Sequence, residues 1–536
     1  MDERPIDLSQ EQLHFQRQSP VRWLSTRVLS GTALRLVLAR VLGGYLDKRE
    51  LQAFSEQEVF DHSDGDELWL DYVADIGDGF DSTYSIAYLE SQAELDVGER
   101  LPRGEVLVMG GDQVYPSANW RDYENRAKGP YQAALPDGDQ TLYAIPGNHD
   151  WFDGLTSFLR LFGVERRIGG RRTRQRRSYW AARLPHRWWL IGIDAEFDAY
   201  LDTPQLNYFT ESLRRMQPGD PVILCVPRPS WLWTDADPRA FDRIDYFIRT
   251  FIAPRGGRVP LILTGDRHHY AHYREIGGPR HLVTAGGGGA YLSGTHTLPE
   301  MLTAPPPGSM ARHGTPARTY EKGACFPDSR GSWRHALAVF WRLPVRNPSF
   351  IVMLGVIHLL GLLSFLQSPG TAVAGVAGVL AITMAFAHPS AGSRTPRYWV
   401  AGTLHAAAHL FLTTVAMTVW WSAGWSGWIP YLAYVPVAGV LAGIITSAYL
   451  VVAGAFGVND NELFAAQSID NDKCFLRLRI DADGATVYPI AVPRVGREWR
   501  ADPDGPPGSS WIRPRRPIPV HLIEKPFTVD GRATVE

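Results

Sequence analysis

The sequence predicts a soluble α/β domain joined to a membrane region of four helices. Between residues 66 and 295, short apolar runs alternate with turn-rich and helical stretches, as expected for buried strands joined by helices. Four long apolar stretches without Asp, Glu, Lys or Arg follow between residues 349 and 455. Beyond them, residues 474–480 and 485–492 alternate in strand fashion around the turn Asp481-Ala482-Asp483-Gly484, which predicts a small C-terminal β hairpin module.

The composition argues against several classes of protein. The 536 residues carry a formal net charge of −2, so no general attraction to nucleic acid is expected. Cys225, Cys325 and Cys474 lie far apart without a CxxC pair, which predicts reduced thiols instead of a disulfide framework or a zinc knuckle. Residues 1–18 are polar and acidic, without the apolar core of a signal peptide.

The apolar stretches are predicted to cross a membrane. They cover about residues 349–366, 371–388, 398–421 and 429–455, and each approaches or exceeds the ~20 residues that span a bilayer as a helix. Buried helices of a soluble core are the alternative. Four such stretches in succession, joined by short loops, are difficult to accommodate in a soluble core.

The charges of the connecting loops predict the orientation of the four spans. Two loops, 367–370 and 422–428, carry no charge, and the second is rich in Trp, as at a membrane interface. The other flanks carry cations: Arg330, Arg334, Arg342, Arg346, Arg394, Arg397, Lys473, Arg477 and Arg479. Positive loops stay in the cytoplasm, so both soluble parts of this multi-pass cell-membrane protein are expected there.

Two further features leave alternatives open. His358, His405 and His409 lie within the spans, where either hydrogen bonds between helices or a metal or haem site would explain them; hydrogen bonding is favoured. Near the N-terminus, Leu34, Leu38, Val41 and Tyr45 form an apolar stripe. It suits a helix on the membrane surface or one packed on the soluble domain.

The predicted domain boundaries follow from these patterns. They are an N-terminal helical segment (1–65), an α/β catalytic domain (66–300), a linker (301–346), four transmembrane helices (347–456), and a C-terminal β hairpin with a Pro-rich tail (457–536). Within the α/β domain, seven Arg residues between 166 and 177 suit either a solvated loop or a site for anionic lipid heads or polyphosphate.

Polar clusters end five of the apolar runs. The end of a strand is where layered α/β folds place a site, and glycine there permits a sharp turn and close approach to a ligand. The clusters are Asp75-Ile76-Gly77-Asp78, Gly110-Gly111-Asp112-Gln113-Val114-Tyr115, Gly147-Asn148-His149-Asp150, Pro227-Arg228-Pro229 and Gly265-Asp266-Arg267-His268-His269. Carboxylate, amide oxygen and imidazole together suit Mn, Fe or Zn. A lone Asp after a strand is often only a helix cap. The four clusters that contain Asp, in this order along the chain, indicate a metal site.

This series resembles the calcineurin-like metallophosphoesterase superfamily over residues 66–295, and Gly147-Asn148-His149-Asp150 is its most specific part. Asp75-Ile76-Gly77 and Gly111-Asp112-Gln113-Val114-Tyr115 resemble the purple acid phosphatase variant of the motifs. The glycine-rich stretch 284–290 is similar to the strand end that follows the last motif.

The resemblance implies a four-layer α/β/β/α sandwich and two divalent or mixed-valence metal ions (Mn, Fe or Zn). Asp112 would bridge the ions, Asp75, Tyr115 and His268 would complete the first site, and Asn148 and Asp266 would help form the second. His149 would lie over the substrate, with Asp150 orienting or tuning it.

Two departures from the superfamily pattern affect the second metal site. Asp266 stands where the superfamily usually has His, and Pro227-Arg228-Pro229 stands near a usual His ligand. An arginine does not ligate metal at neutral pH. Either His269, His272 or Asp78 replaces the missing ligand while Arg228 holds a phosphate, or the site is degenerate.

The sequence therefore predicts a membrane-anchored phosphoesterase that hydrolyses a phosphomonoester or phosphodiester with a metal-bridging hydroxide. The substrate would be a phosphorylated small molecule or a lipid. The alternative is a catalytically degenerate membrane sensor that binds a phosphorylated ligand. The resemblance alone does not choose between them.

Overall fold

The computed structural model describes residues 13–31, 52, 58–196, 201–232, 239–388, 396–502, 505–506 and 508–531. The predicted apolar stripe near the N-terminus, most of the predicted N-terminal helical segment and Arg394 lie outside these residues. Mixed α/β structure fills the described part on both sides of the apolar helices in the chain.

Strands occur before and after the apolar helices. The strands are β1 (Phe60–Asp61), β2 (Leu68–Val73), β3 (Glu94–Asp96), β4 (Arg100–Pro102), β5 (Val106–Met109), β6 (Gln140–Ala144), β7 (Arg167–Ile168), β8 (Arg171–Thr173), β9 (Trp180–Arg183), β10 (Trp189–Gly192), β11 (Pro221–Val226), β12 (Arg258–Thr264), β13 (Tyr270–Glu275), β14 (His281–Ala285), β15 (Met301–Ala304), β16 (Arg318–Phe326), β17 (Lys473–Asp481), β18 (Gly484–Val492), β19 (Trp499–Ala501), β20 (Ile512–Pro514), β21 (His521–Leu522) and β22 (Phe527–Val529).

Most α-helices of the soluble part are short, and the long helices lie together in the chain. The α-helices are α1 (Phe80–Ser91), α2 (Trp120–Asp122), α3 (Gly129–Ala134), α4 (Thr156–Phe162), α5 (Thr203–Ser212), α6 (Asp242–Phe247), α7 (Ser329–Leu337), α8 (Val339–Arg346), α9 (Pro348–Gln367), α10 (Pro369–Ala387), α11 (Pro396–Ala423), α12 (Trp428–Ala455) and α13 (Asp460–Ala465). Short 3₁₀ and π-helical turns extend or connect several of them.

Two nine-stranded sheets organise the described strands. The first sheet has the order β21-β18-β17-β2-β5-β6-β8-β7, with β22 also paired to β18, and the second has the order β1-β9-β10-β11-β12-β14-β13-β16-β15. β2, β5 and β6 run parallel in the first sheet, as do β11 and β12 in the second. Parallel neighbours bring their carboxyl ends to one edge of each sheet.

The two sheets share one apolar core. Side chains alternate along a strand, and Leu70 and Tyr72 of β2 join Ile223 and Leu261 of the second sheet in one buried cluster. The outer face of the first sheet buries Val73 against helical residues such as Tyr84. The opposite face of the second sheet likewise packs against α5 and α6. Each sheet therefore packs helical residues against the face that points away from the shared core.

The stretch predicted to be a linker, residues 301–346, is folded. β16 pairs antiparallel with β13, and β15 pairs antiparallel with β16, so the two strands extend the second sheet. The Pro- and Gly-containing stretch 305–317 connects them, and α7 and α8 follow β16. The Arg-rich segment likewise forms β7 and β8, and Arg171 within it is fully buried.

Four helices, α9 to α12, are long and apolar enough to cross a membrane by length and composition. Their bounds agree closely with the predicted spans. Large apolar side chains such as Leu360, Leu404 and Phe411 are exposed on them, as expected for helices whose outer surface faces lipid. His358, His409 and His405 form a hydrogen-bonded row between α9 and α11, with nitrogen separations of 2.9 and 3.0 Å.

The hairpin predicted around residues 481–484 consists of β17 and β18 and closes through the pair Asp481 and Gly484. It is an integral part of the first sheet, because β17 pairs along β2. Arg477 of β17 lies opposite Asp71 of β2, and both side chains are fully buried. Its guanidinium donates to both carboxylate oxygens of Asp71, at 2.7 and 3.1 Å, and to the Leu101 carbonyl.

Asp71→Ala is expected to destabilise the soluble domain strongly, because it leaves the Arg477 charge buried without its carboxylate. Loss of one partner of a buried ion pair costs ~3–5 kcal/mol. Denaturant titration of the full chain in micelles measures this loss. Asp139→Ala removes an exposed partner of Arg167 and serves as the control, with little expected change. Equal stability of the two variants would show that the buried pair is dispensable.

Candidate functional site

The predicted site residues converge where parallel strands of both sheets end. Asp75 follows β2, Asp112 follows β5, and Asn148 with His149 follows β6. Asp266 and His268 follow β12 of the second sheet. The backbone N–H of Asp266 donates to the Asp75 carboxylate at 3.0 Å, which joins the strand ends of the two sheets directly.

The phenol of Tyr115 lies at the centre of the first group of side chains. Its oxygen is 3.2 Å from Asp75 Oδ1, 3.1 Å from Asp112 Oδ2 and 3.1 Å from His268 Nε2. All four side chains are buried, with at most 4% of any residue exposed. Four potential ligand atoms therefore share one small volume.

The imidazole of His268 is oriented for ligation. Its Nδ1–H donates to the carbonyl oxygen of Tyr291 at 2.8 Å, which leaves the Nε2 lone pair directed toward Tyr115. A metal-ligating histidine characteristically donates its other ring N–H to a carbonyl or carboxylate. Burial holds the pKa of His268 well below its ordinary value, so the ring stays neutral and keeps that lone pair.

The backbone of the site is strained at its carboxylates. Asp75, Asp112 and Asp266 have φ values of 59°, 50° and 64°, in the left-handed region that non-glycine residues seldom occupy. Such residues persist only where the surrounding structure requires them, and they cluster at functional sites.

Two glycines make room for these carboxylates. A Cβ on Gly147 would lie 2.2 Å from Asp112 Oδ1, and one on Gly286 would lie 2.2 Å from Asp75 Oδ2. Any larger residue at either position would displace a carboxylate oxygen. The glycine of the Asn-His motif and the glycine-rich end of β14 therefore have a steric role at the site.

Negative charge is concentrated here. Burial and the charge of Asp266 raise the pKa of Asp75 well above its ordinary value. Burial and the charges of Asp75, Asp150 and Asp266 do the same for Asp112. Buried like charges oppose ionisation, and nearby cations relieve the repulsion.

The residues of the first group fit a metal ion. Two ligands at right angles around an ion with ~2.1 Å bonds lie about 3.0 Å apart, close to the separations around Tyr115. Asp75 Oδ2 is buried without a hydrogen-bond partner. Within the described residues, no group of three or more His, Cys, Asp or Glu side chains is already arranged around a metal position. The fit thus requires the Tyr115 oxygen as a ligand and small movements of its neighbours.

The second group is Asp112, Asn148 and Asp266, with His269 as the best candidate for the missing ligand. His269 is 1% exposed, lines the same cleft, and neither of its ring nitrogens has a hydrogen-bond partner. The other two predicted substitutes, His272 and Asp78, form hydrogen bonds with other groups. His272 contacts Glu524 and His281, and the carboxylate of Asp78 accepts backbone N–H groups.

A cleft of about 490 Å³ opens over these residues, a volume typical of small-molecule sites. Its lining includes the carboxylates of Asp112, Asp266, Asp460 and Glu462 against the guanidinium groups of Arg267 and Arg397. The protein charges of the lining are therefore mainly negative. A phosphorylated ligand requires bound cations to overcome this repulsion.

His149 lies at the base of the cleft. Its Nδ1–H donates to the Pro116 carbonyl at 2.8 Å, so Nε2 remains available to a ligand. Burial lowers the pKa of His149 to about 4. Asp150 was expected to orient this ring, and that role is corrected: its carboxylate accepts from the backbone of Gly147 and Gln113 and holds the loop instead.

Arg228 lies beside the site instead of in the cleft. Its guanidinium is 3.6 Å from the Glu196 carboxylate, and it is not among the described residues that line the cleft. It still acts on the site, because its charge and that of Arg267 lower the pKa of Asp266 against the effect of burial. Arg267 lines the cleft, where Arg228 was expected, and its guanidinium is 3.5 Å from the Asp460 carboxylate.

Sequence reasoning missed several residues of the site. Trp23 packs edge-on against Tyr115, His149 and Tyr291, with ring centroids 5.3 to 5.8 Å apart. The far side of the cleft is formed by Arg397 and residues 457–462. No local motif marks these positions, and only the polar run Asn459-Asp460-Asn461-Glu462 immediately after the last span gave a signal.

Comparisons with known proteins leave the family open. No family profile matches the chain, and no curated protein is significantly similar to it in sequence. Among solved structures, the chain is similar to GAP50, described as the anchor in the inner membrane complex of Plasmodium. The identity is 13%, the TM-score is 0.32, and the match covers 43% of this chain and 74% of that one.

Asp112→Asn is expected to remove most bound metal, because this carboxylate lies between the two groups of candidate ligands. Elemental analysis of purified protein measures the loss directly. Asp220→Asn is the matched control: Asp220 is also buried, but its carboxylate contacts Trp189 and Gln217 away from the cleft. Full metal content in the Asp112 variant would show that the ions bind elsewhere.

Proposed function

We propose that the protein is a membrane-anchored, metal-dependent hydrolase of phosphate esters, of the calcineurin-like metallophosphoesterase type. The observation that carries the proposal is the convergence of Asp75, Asp112, Tyr115 and His268, with His149 beside them, at the strand ends of two sheets. These are the residues and the order that the superfamily motifs require.

The layer order lends further support. Helices on the outer face of each sheet and a shared core between the sheets suit a four-layer α/β/β/α sandwich. The buried carboxylates, the orphaned Asp75 oxygen and the orientation of His268 suit two divalent or mixed-valence ions (Mn, Fe or Zn).

Side chains of the protein would bind the phosphate and transfer the proton, and bound metal ions would activate the water. Bound metal ions supply Lewis acidity and lower the pKa of water, so that hydroxide is available near neutral pH. The guanidinium of Arg267 lines the cleft and would hold phosphate oxygens, while the amide oxygen of Asn148 would ligate the second ion. The Nδ1–H of His149 is held by the Pro116 carbonyl, so Nε2 donates a proton to the leaving oxygen only in the imidazolium form. Burial opposes that form by lowering the pKa of His149 to about 4, and the negative charge of a bound phosphate favours it.

A phosphate-binding membrane sensor is the second candidate function. The observation that favours it is the pairing of Arg228 with Glu196 at the end of β11, where the superfamily usually supplies an imidazole. A second metal group without that ligand binds its ion more weakly. Such a site retains affinity for phosphate while losing turnover.

His149→Ala should cut turnover of an aryl phosphate or phosphodiester at least ~100-fold, because general acid catalysis contributes ~10²–10⁴-fold. Metal content should stay near that of the wild type, since the ring nitrogens are not assigned to an ion. Steady-state kinetics with Mn²⁺, Fe²⁺ or Zn²⁺ supplied, together with elemental analysis, measures both. His313→Ala removes an exposed imidazole and should change neither quantity.

The sensor makes the opposite prediction for the wild-type protein. It would bind a phosphorylated ligand without metal-dependent hydrolysis of any ester in a broad panel. That result would overturn the hydrolase and leave the fold assignment intact.

We also propose that the four long helices cross the cell membrane with the catalytic domain in the cytoplasm. Pairing of β17 with β2 supports an even number of crossings, because the chain before α9 and the chain after α12 share one sheet. Arg334, Arg342 and Arg346 before the first span support the cytoplasmic side.

Reporter fusions test this topology. A reporter after Glu536 should be cytoplasmic, and one inserted in the loop between α11 and α12, at residues 424–427, should lie on the opposite side. Activity of paired cytoplasmic and periplasmic reporters, such as a fluorescent protein and an alkaline phosphatase, reads out each position. Both reporters on the same side, or a C-terminus outside the cytoplasm, would contradict the proposed topology.

A further inference from the structure

The wall of the cleft opposite the catalytic residues belongs to the membrane region. Arg397 and Tyr398 lie in the first turn of α11, and Gly457 and Asn459 follow the end of α12. Asp460 and Glu462 continue this wall in α13. Any phosphate held over His149 therefore lies between the catalytic strand ends and the ends of two membrane helices.

Exposed apolar side chains lie directly beside this wall. Trp399, next to Tyr398 in the chain, is 56% exposed, and Phe456, next to Gly457, is 69% exposed. α8 exposes Trp341 and Val345 as well, on a short helix that also carries Arg342 and Arg346. Tryptophan and arginine are typical of the level where a bilayer meets water, so the mouth of the cleft lies at that level.

Hydrogen bonds fix this wall to both the membrane helices and the catalytic residues. Tyr449 of α12 donates to Asn459 Oδ1 at 2.7 Å, and Asn459 Nδ2 donates to the Phe386 carbonyl of α10 at 2.8 Å. On the other side, the phenol of Tyr291 donates to Asn461 at 2.8 Å. Tyr291 is also the residue whose carbonyl orients His268. The same hydrogen-bonded residues therefore hold the cleft beside the membrane helices and orient His268.

From this arrangement we propose that the substrate is a phosphate ester of a membrane lipid, whose headgroup enters the cleft from the adjacent leaflet while its apolar chains stay in the bilayer. The inference rests on the proposed hydrolase function. Arg397 lies where the headgroup passes from the bilayer surface into the cleft, and its guanidinium donates to the acyl ester carbonyl oxygens of the lipid, which the deacylated headgroups lack. Water adds to phosphorus, the bond to the lipid oxygen breaks, and the lipid alcohol leaves with a proton.

The test compares lipids with their own deacylated headgroups in the full chain reconstituted in phosphatidylcholine nanodiscs with metal supplied. One pair is phosphatidate and glycerol 3-phosphate, and the other is phosphatidylglycerol and glycerophosphoglycerol. For at least one pair, kcat/KM should be at least ~100-fold higher for the lipid, because chain anchoring contributes binding that the headgroup alone lacks.

Arg397→Gln should lower this lipid-to-headgroup ratio at least ~10-fold, since it removes charge-assisted hydrogen bonds that only the lipid receives. Arg397→Lys, which keeps the charge, should restore part of it. Arg330→Gln removes an exposed cation ahead of the first span that does not line the cleft, and it should leave the ratio unchanged. If Arg397→Gln does not fold, the ratio of kcat/KM for the lipid and its headgroup in the wild-type protein is the test of the lipid substrate.

Failure of this inference is distinguishable from failure of the proposed function. Hydrolysis of an aryl phosphate with no preference for either lipid would overturn the lipid substrate and leave the hydrolase standing. An unchanged ratio in a folded Arg397→Gln protein would overturn the role of the membrane wall. Absence of metal-dependent hydrolysis for every compound, aryl phosphate included, would overturn both.

Discussion

The pairing of β17 with β2 is the constraint on which the rest of the structure depends. The chain enters the apolar helices after β16 and returns from them to place β17 beside β2, the strand whose end carries Asp75. The buried Arg477 and Asp71 pair fixes the register, because a shift of one residue would move the guanidinium to the opposite face of the sheet. The sheet that carries Asp75 is therefore complete only after the chain has passed through the four apolar helices, and the strands before and after these helices form one unit.

The pairing of β17 with β2 completes the sheet at whose strand ends strained backbone and buried charges meet. Three aspartates in the left-handed region, two glycines without room for a Cβ, and carboxylates with raised pKa values all meet at the ends of β2, β5, β6 and β12. Each feature costs folding free energy, and hydrogen bonds from Tyr115 and from the backbone N–H groups of Asp266 and His149 offset part of that cost. The cations of the proposed function would offset the remaining repulsion between the carboxylates.

Local patterns in the sequence predicted the features that depend on neighbouring residues. The apolar runs located β2, β5, β6, β11 and β12, and hydropathy located α9 to α12 to within a few residues. Long-range pairing was not predictable in this way. The linker predicted at residues 301–346 missed β15 and β16, which are held by pairing of β16 with β13 and of β15 with β16. Trp23 and Arg397 reach the cleft only through tertiary packing, and a motif series could not include them.

The two departures from the superfamily pattern are linked by electrostatics. Asp266 and Arg228 together carry no net charge, like the two neutral imidazoles that they replace. The charge of Arg228 acts on the carboxylate of Asp266. Burial raises the pKa of Asp266, while Arg267 and Arg228 oppose that effect. Arg228 in turn is held by Glu196, so its charge is fixed near the carboxylate without entering the cleft. An ion in the second group would meet a carboxylate in place of an imidazole, with part of its negative charge already balanced. Such a site would favour a harder ion than Zn²⁺.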